Sequence, residues 1–513
     1  MPAPGITITT SAAAAAPGPG QRIGTWYVAA QTERGPLTPA QSTPMRSLGD
    51  FAAVYGTRNA TYGSAAQTYD MLDAYWRSGG GPVYLARVVG PAAAVASHTF
   101  NDRAGSPLPT IKVSANGPGA WANTNITVTI QNGAASNSFN VIVLVGGVAA
   151  ETSPDLLSPT DAVTWAQTSK YVTISDLAST TAAPNNIPAV ASAQTLTSGA
   201  DDIASVTDTQ WTAALNTFPA TWGPGIVSKL GVTTSTGHAG TIAHAAANNR
   251  LAFLDGPSGS TASTLSTLAS TVQAAAETAS PGSAAYAAMF APWPQVPAYA
   301  GGTAPRLVPP SAVAAGLVTG QVLNGPANVA AAGTNGVASW ALDAPAVPSV
   351  PGSTFIPSDL ATLNGSAPVN VFRRPYAASN TPPVVLYGYN TLGLAAGGWR
   401  QMTAQLLRLR ITDELNQIGE QFIFNQLDGR GLEIAKFGGA IAGVLLQHYN
   451  AGELFGATAQ DAFAVDVGAS VNTPTTLAAG QLNARVGLRM SPYAEFVWVD
   501  IVKFAVNQSL NAA

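Results

Sequence analysis

Arg250-Leu-Ala-Phe-Leu-Asp255 is a short apolar run set between two helical patterns, 238–248 before it and 263–278 after it. Its length and composition suit a strand, and strands separated by helices imply largely parallel pairing. Runs of the same kind lie at 24–30 (Gly-Thr-Trp-Tyr-Val-Ala-Ala), 83–89 (Val-Tyr-Leu-Ala-Arg-Val-Val), 225–228 and 286–290. Helices are expected among them. One spans 47–56, where Ser47 is placed to cap the start and Gly56 to stop the end. Others span 65–76, with Tyr69, Leu72 and Trp76 at helical spacing, and 209–215. This alternation predicts an α/β middle domain.

That domain comes in two parts, 23–100 and 205–350, because the chain between them has a different texture. Residues 101–204 are rich in Ser, Thr and Asn. They contain period-two runs such as Ile126-Thr-Val-Thr-Ile130 and Phe139-Asn-Val-Ile-Val-Leu-Val145. They also hold seven acids (Asp102, Glu151, Asp155, Asp161, Asp176, Asp201, Asp202) against three bases (Arg103, Lys112, Lys170). A β-rich insertion facing solvent is expected here, with Asp201-Asp202 in a solvated loop.

The two ends of the sequence read differently again. In residues 1–22, Ile6 and Ile8 alternate as in a short strand, and a Pro/Gly/Ala linker follows over 12–20. A lone strand on a leash is either disordered or pairs with another chain. Residues 351–513 predict a long amphipathic helix over 399–427, a second over 432–449, and strands over 462–467, 482–490 and 495–506. From 370 onward the chain carries ten bases and ten acids, 20 of the protein's 48 charges. Asp413-Glu414 is placed on the polar face of the long helix. The fold class is thus α/β and α+β multi-domain: a middle α/β domain, an inserted β-rich subdomain, a C-terminal α+β domain and strand-like arms at both ends.

Bulk composition narrows the function. Only 9% of the 513 residues are charged, against about 25% in ordinary domains, which suits a subunit that hides surface against neighbours. The net charge of −4 gives no basic excess for nucleic acid. The absence of cysteine excludes disulfide frameworks and thiol nucleophiles. No apolar run reaches the roughly 18 residues of a membrane span, and the alanine run at 12–16 lacks a basic segment before it, so no secretory signal is expected.

Catalytic patterns are missing where they would be sought. His238 and His244 are six apart, off the spacing that brings two zinc ligands to one helix face. Ser258 in Gly256-Pro-Ser-Gly259 does not fit a nucleophile elbow. Gly79-Gly80-Gly81 is read as a helix stop, since no Lys or Ser/Thr follows where a phosphate loop needs it. Asp255 is read as a turn residue, although it ends a strand where α/β enzymes often place acids. No cofactor or metal is expected.

Several stretches, in order, resemble the contractile tail sheath proteins of bacteriophages and related injection systems. Pro4-Gly-Ile-Thr-Ile8 resembles the opening of sheath N-terminal arms, and Glu33-Arg-Gly-Pro36 the "ERGP" turn. Ser47-Leu-Gly-Asp-Phe51, Tyr55-Gly56 and Gly79-Gly-Gly-Pro-Val-Tyr-Leu-Ala-Arg-Val88 follow as in that family. Pro118-Gly-Ala-Trp-Ala-Asn123 is similar to "PGAWGN", with Ala122 in place of glycine. Ala291-Pro-Trp293 and Val308-Pro-Pro-Ser311 resemble "PW…VPPSG", with Ala312 in place of glycine. Gly325-Pro-Ala-Asn328 resembles "APAN". Val369-Asn-Val371, Asn390-Thr-Leu392, Val471-Asn-Thr473, Gly480 and Pro492-Tyr-Ala-Glu-Phe496 resemble the C-terminal sheath domain, with Asn390 in place of the usual arginine.

The resemblance implies a structural, non-enzymatic subunit that polymerises around an inner tail tube and contracts to drive it through a target envelope. It implies strand exchange between subunits, for which the candidates are Ile6, Thr7, Ile8, Thr9, Phe496, Val497, Trp498, Val499 and Ile501. Residues proposed to touch the tube are Arg408, Arg410, Arg430, Lys436, Arg485, Arg489 and Lys503. The implied partners are further copies of the chain, the tube protein, and baseplate and tail terminator proteins, with no nucleic acid contact and no membrane insertion. The implied place is the virion tail, reached by assembly in the host cytoplasm. Another self-assembling virion protein is the alternative, and a hydrolase on the α/β domain a more distant one.

Overall fold

The computed structural model describes residues 23–63, 67–298, 304–325, 328–338, 355–374 and 383–495. These fall in two compact units, divided between Asn425 and Gln426. Thirteen α-helices and nineteen strands in five sheets are found among the described residues.

The first unit is built on strands β1 (Trp26–Ala30) and β2 (Val83–Arg87), with helices α1 (Leu48–Tyr55) and α2 (Thr68–Arg77) between them. Ser47 caps α1, accepting the Asp50 N–H at 3.1 Å. Seven strands follow: β3 (Ser97–Asn101), β4 (Pro109–Ala115), β5 (Ile126–Asn132), β6 (Phe139–Val145), β7 (Val148–Thr152), β8 (Val172–Asp176) and β9 (Ala191–Thr195). They are accompanied by α3 (Ala122–Asn125) and α4 (Pro159–Ala166). The α/β pattern then resumes with α5 (Asp208–Leu215), β10 (Ile226–Lys229), α6 (Ser235–Ala247), β11 (Leu251–Asp255), α7 (Ala262–Ala279) and β12 (Ala287–Ala291). A two-residue pair, β13 (Gln295–Val296) and β14 (Arg306–Leu307), precedes α8 (Pro310–Asn324). The unit ends with β15 (Val337–Ala338), α9 (Pro357–Leu363), β16 (Val369–Arg373), β17 (Val384–Tyr387) and α10 (Met402–Glu420).

The central sheet has the order β15-β17-β16-β12-β11-β10-β1-β2. Pairing is parallel from β2 through β16, and β17 and β15 add antiparallel. The sheet therefore runs past residue 350, where the sequence suggested a boundary, and takes in Val369-Asn-Val371. Those residues are buried and apolar apart from Asn370, whose amide donates to the Met289 and Asn390 carbonyls at 3.2 and 2.7 Å.

Helix α8 was not legible in the sequence. It is buried without interruption from Pro310 to Gly320, and a helix buried all round shows no apolar stripe. Its packing depends on small residues. A Cβ on Gly316 would sit 2.4 Å from the Tyr75 carbonyl oxygen, and one on Gly320 would sit 2.8 Å from that of Gly79. The Gly79–Gly81 run is thus a helix stop that also admits α8. The Gly79 and Gly80 N–H groups donate to Trp76 and Tyr75, so the helix end itself uses them.

Residues 97–195 fold around their own core. Strands β3-β4-β8 form one antiparallel sheet and β7-β6-β5-β9 another. Ile111, Val113, Val128, Ile130, Val141, Val143 and Ile174 lie in a cluster separate from that of the central sheet. The segments leading in and out are bridged side by side, Ala94 to Ala200 and Ser97 to Thr197.

Asp201 is not a solvated loop residue. It is 8% exposed and pairs with the buried Arg87 at 2.6 Å. Its other oxygen accepts the Tyr62 hydroxyl at 3.2 Å and the Ala120 N–H at 2.8 Å. Arg87 also donates to the carbonyls of Thr32, Glu33 and Pro118. Glu33-Arg-Gly-Pro36 and Pro118-Gly-Ala-Trp-Ala-Asn123 meet at this point, and Arg34 stacks 4.4 Å over the Trp121 ring. Asp202, by contrast, lies nearer the surface and accepts the Ala92 N–H at 2.9 Å.

The second unit contains α11 (Leu432–Asn450), α12 (Ala459–Ala462), β18 (Phe463–Asp466), α13 (Pro474–Ala478) and β19 (Arg485–Leu488). Helix α11 and strands β18 and β19 lie within three residues of their expected bounds, the short helices α12 and α13 were not expected, and the strand expected over 495–506 lies almost wholly outside the described residues. Helix α10, by contrast, is shorter than expected at both ends. Trp399 lies before it, and Phe422 lies beyond it in the turn that leads to Phe424, a fully exposed residue with φ of 67°.

Removing one partner of a buried ion pair costs about 3–5 kcal/mol. Asp201→Ala should therefore lower unfolding stability in denaturant by about that much. Limited proteolysis should then cut the 90–94 and 197–204 segments sooner than in the native chain.

Candidate functional site

The sheet of the first unit is doubly wound. Its strand order turns between β10 and β1, the place where open α/β sheets take ligands at the carboxyl ends of their strands. Chemistry-bearing side chains do gather nearby, and each is engaged. Lys229 ends β10, is 3% exposed, and donates to the Thr212 hydroxyl and the Gly237 carbonyl at 2.9 Å each. Burial lowers its pKa to about 8. His238 is buried and its Nε2 contacts the Asp255 carbonyl at 3.1 Å. Burial lowers its pKa to about 4.

Asp255 is neither an exposed acid nor a simple turn residue. It is 1% exposed, and its carboxylate accepts the Ser311 N–H at 2.7 Å and the Ser311 hydroxyl at 2.8 Å. Ser311 lies in the first turn of α8, where N–H groups lack helical partners and negative charge is favoured. Asp255 therefore anchors the start of α8 from a distant strand, which gives Val308-Pro-Pro-Ser311 its purpose. Burial pushes the Asp255 carboxyl up to about 7, against the lowering effect of these two bonds. His238, Asp255 and Ser311 do not form a charge-relay geometry, because the acid meets the serine directly and the histidine meets a main-chain carbonyl. Ser258 lies exposed in a turn.

A second buried knot surrounds Arg250. It is fully buried, with its guanidinium 3.9 Å over the Tyr27 ring, and it donates to the Phe218 and Pro219 carbonyls at 2.8 and 2.7 Å. It also meets His244 Nε2 at 2.8 Å. Burial first, then the charge of Arg250, lower the His244 pKa to about 3.

The charged residues singled out in the sequence do not converge. In the first unit, Arg408 is half-buried, 4.9 and 4.7 Å from the ring centroids of Tyr286 and Trp399. Arg410 pairs with Glu414 at 3.1 Å along α10. Glu414 is 6% exposed, so it is not on a solvated face. In the second unit, Arg430, Lys436, Arg485 and Arg489 are all exposed. Lys436 contacts Glu433 at 3.1 Å, and Arg485 stands opposite Asp466 in the β18–β19 pair. Lys503 and the strand-exchange candidates Ile6 to Thr9 and Phe496 to Ile501 lie outside the described residues.

The second unit has little core. Of its apolar side chains, only Ile441, Leu445, Leu454 and Ala462 are buried among the described residues, while Leu432, Leu446 and Phe455 are exposed. His448 and Glu453 form a buried pair at the end of α11. Among the described residues, β18 and β19 pair only with each other.

No family model matches the sequence, and no curated protein matches it. Solved structures share the fold over most of the chain. A chain of the anti-feeding prophage baseplate in its contracted state aligns with a TM-score of 0.56 at 14% identity, over 98% of both chains. The sheath tail protein of Listeria innocua aligns at 0.56 and 12% identity, over 87% of this chain and 89% of that one. A chain of the PVC sheath complex of an extracellular contractile injection system, in the contracted state, aligns at 0.52 and 16% identity, over 98% of both.

The buried Asp255 has a measurable signature. With its folded pKa near 7, protonated Asp255 contributes stability that is complete below the ordinary carboxylate range and lost as pH rises through about 7. Neutral His238 and His244 act oppositely, contributing above about 6.5 and losing that as pH falls through about 4 and 3. Asp255→Asn removes only the first effect. Its melting temperature, followed by calorimetry, should fall more steeply than that of the native chain between pH 7 and 4.

Proposed function

We propose that this chain is the structural subunit of a contractile tail sheath, polymerising around an inner tail tube and shortening to drive the tube through a target envelope. The likeness of its fold, over 98% of the chain, to chains of two contractile machines supports this reading. The unit after Gln426 supports it physically. Among the described residues, a two-stranded sheet and four buried apolar side chains make a poor independent core, and strand addition from neighbouring copies would complete it through main-chain hydrogen bonds. In this reading the added strands are Ile6 to Thr9 of one copy and Phe496 to Ile501 of another. The linker over 12–20 then keeps copies joined while they rotate and slide. The domain plan that goes with it has an arm at 1–22, a middle domain at 23–100 that resumes at 205 and extends past the expected limit of 350 to take in β16 and β17, an outer insertion at 101–204, and a polymerising unit from Gln426 onward.

No cofactor takes part. Energy is stored when the extended polymer forms and released as subunits repack. Baseplate and terminator proteins close its ends, assembly takes place in the host cytoplasm, and neither nucleic acid nor membrane is a partner. A general self-assembling virion protein would share the exposed second unit but not the chain-long likeness.

Negative-stain microscopy of the purified protein tests the reading. The full chain should form helical cylinders, and a chain lacking residues 1–20 should stay folded by circular dichroism but form none. Globules from the full chain would overturn the reading, and long cylinders from the shortened one would remove the arm from it.

The tube contact is assigned to Arg430, Lys436, Arg485 and Arg489. Arg410 is left out because it pairs with Glu414, and Arg408 because it is half-buried between the Tyr286 and Trp399 rings. Reversing the four charges to Glu should abolish co-sedimentation with tubes at 0.1 M salt, where screening acts over roughly 10 Å. Intact co-sedimentation would place the contact elsewhere.

A further inference from the structure

We propose that the cleft around Arg408 is a receptor for an acidic side chain of a second copy of this chain. The inference rests on the sheath reading above. The cleft is open, measures about 550 Å³, and lies among the end of α7, the turn at Ser283–Tyr286, the loop at 393–399 and α10. Arg408 projects into it from α10, with Tyr286 and Trp399 both within cation–π distance of its guanidinium. These rings come from separate segments and hold the guanidinium in place without using its N–H groups. Its one hydrogen bond is to Gln405 Oε1, at the 3.5 Å limit. No acid pairs with Arg408 among the described residues. The one carboxylate in the cleft, Glu277, is occupied by the Gly282 and Ala284 N–H groups at 2.7 and 3.2 Å.

A pre-positioned guanidinium with free donors matches the two oxygens of a carboxylate. The partner's chemistry follows from the chain's own charge. It carries 26 acids to 22 bases, and the surplus sits in the 101–204 segment, where Asp155, Asp161 and Asp176 are exposed. In a homopolymer every copy presents both this surplus and the cleft.

The test places p-benzoylphenylalanine at Ser280, which lines the cleft, in an equal mixture of 15N-labelled and unlabelled full chains. After polymerisation and irradiation, peptide mapping should find crosslinks joining labelled to unlabelled copies at a segment containing Asp or Glu. In a second arm, Arg408→Gln should raise the protein concentration needed for cylinders about tenfold, as expected for loss of a charged hydrogen bond, with the melting temperature unchanged. Crosslinks confined to one copy, or formed to the tube when it is present, overturn the proposal. So does an Arg408→Gln chain that assembles at the native concentration. If that variant fails to fold, the crosslinking arm decides alone. A native chain that forms no cylinders sinks the sheath reading itself, whereas native cylinders without labelled-to-unlabelled crosslinks sink only the cleft.

Discussion

Both faces of a parallel sheet must be covered, and most of the first unit is a response to that demand. On one face α5, α6 and α7 supply Trp211, Ile242, Leu265 and Val272 to a common core with Tyr27, Val227 and Leu254. On the other, Trp26 stacks on Tyr75 of α2 at 4.5 Å, and Phe253 packs against Phe290 at 4.6 Å. Helix α8 shares this second face with α2. It lies so close that only glycine fits where the two cross, and Asp255 fixes its first turn. The coverage leaves the strand ends at the switch point filled with satisfied polar groups.

The few charges in the first unit are spent largely on holding segments of distant sequence together. Arg306 binds Asp70 and Asp73 at 2.5 and 2.8 Å, and Arg58 binds Asp70 at 2.9 Å. These ties span more than 230 residues between Arg306 and α2. Arg87 and Asp201 do the same for the β insertion. A buried pair adds little net stability but is costly to break, so each knot acts as a latch that selects one arrangement.

Legibility followed exposure. Helices with one solvent face, such as α6 and α7, announced themselves by periodicity, and α1 by its cap and its glycine. The β character of the insertion was visible in the alternation of Ile126–Ile130 and Phe139–Val145, which pair as β5 and β6 of its four-stranded sheet. Helix α8 was invisible because burial on every side erases the stripe. The placement of β16 and β17 in the central sheet was illegible because a short apolar run does not name its partner. Asp201 looked like a solvated acid because its guanidinium lies 114 residues away. Asp255 was located correctly at a strand end, but nothing local pointed to Ser311. Among the charged candidates, charge alone did not distinguish Arg408, held between two rings, from the exposed Arg430.

The contrast between the two units carries the last step. The first covers both faces of its sheet and pairs its buried Arg87, Arg250 and Arg306 internally. The second places the long helix α11 over one two-stranded sheet and buries only Ile441, Leu445 and His448 along it. Leu432 and Leu446 of α11 lie exposed, and Ile434, Phe437 and Val444 are only half-buried. Below a certain core size the entropy of ordering the chain exceeds what burial returns. A unit so built gains most from whatever adds strands and covers its helix, and in the sheath reading proposed above a neighbouring copy of the same chain would do both. On that reading stability and assembly would be one process in this unit, the coupling that release of free energy by repacking between subunits would need.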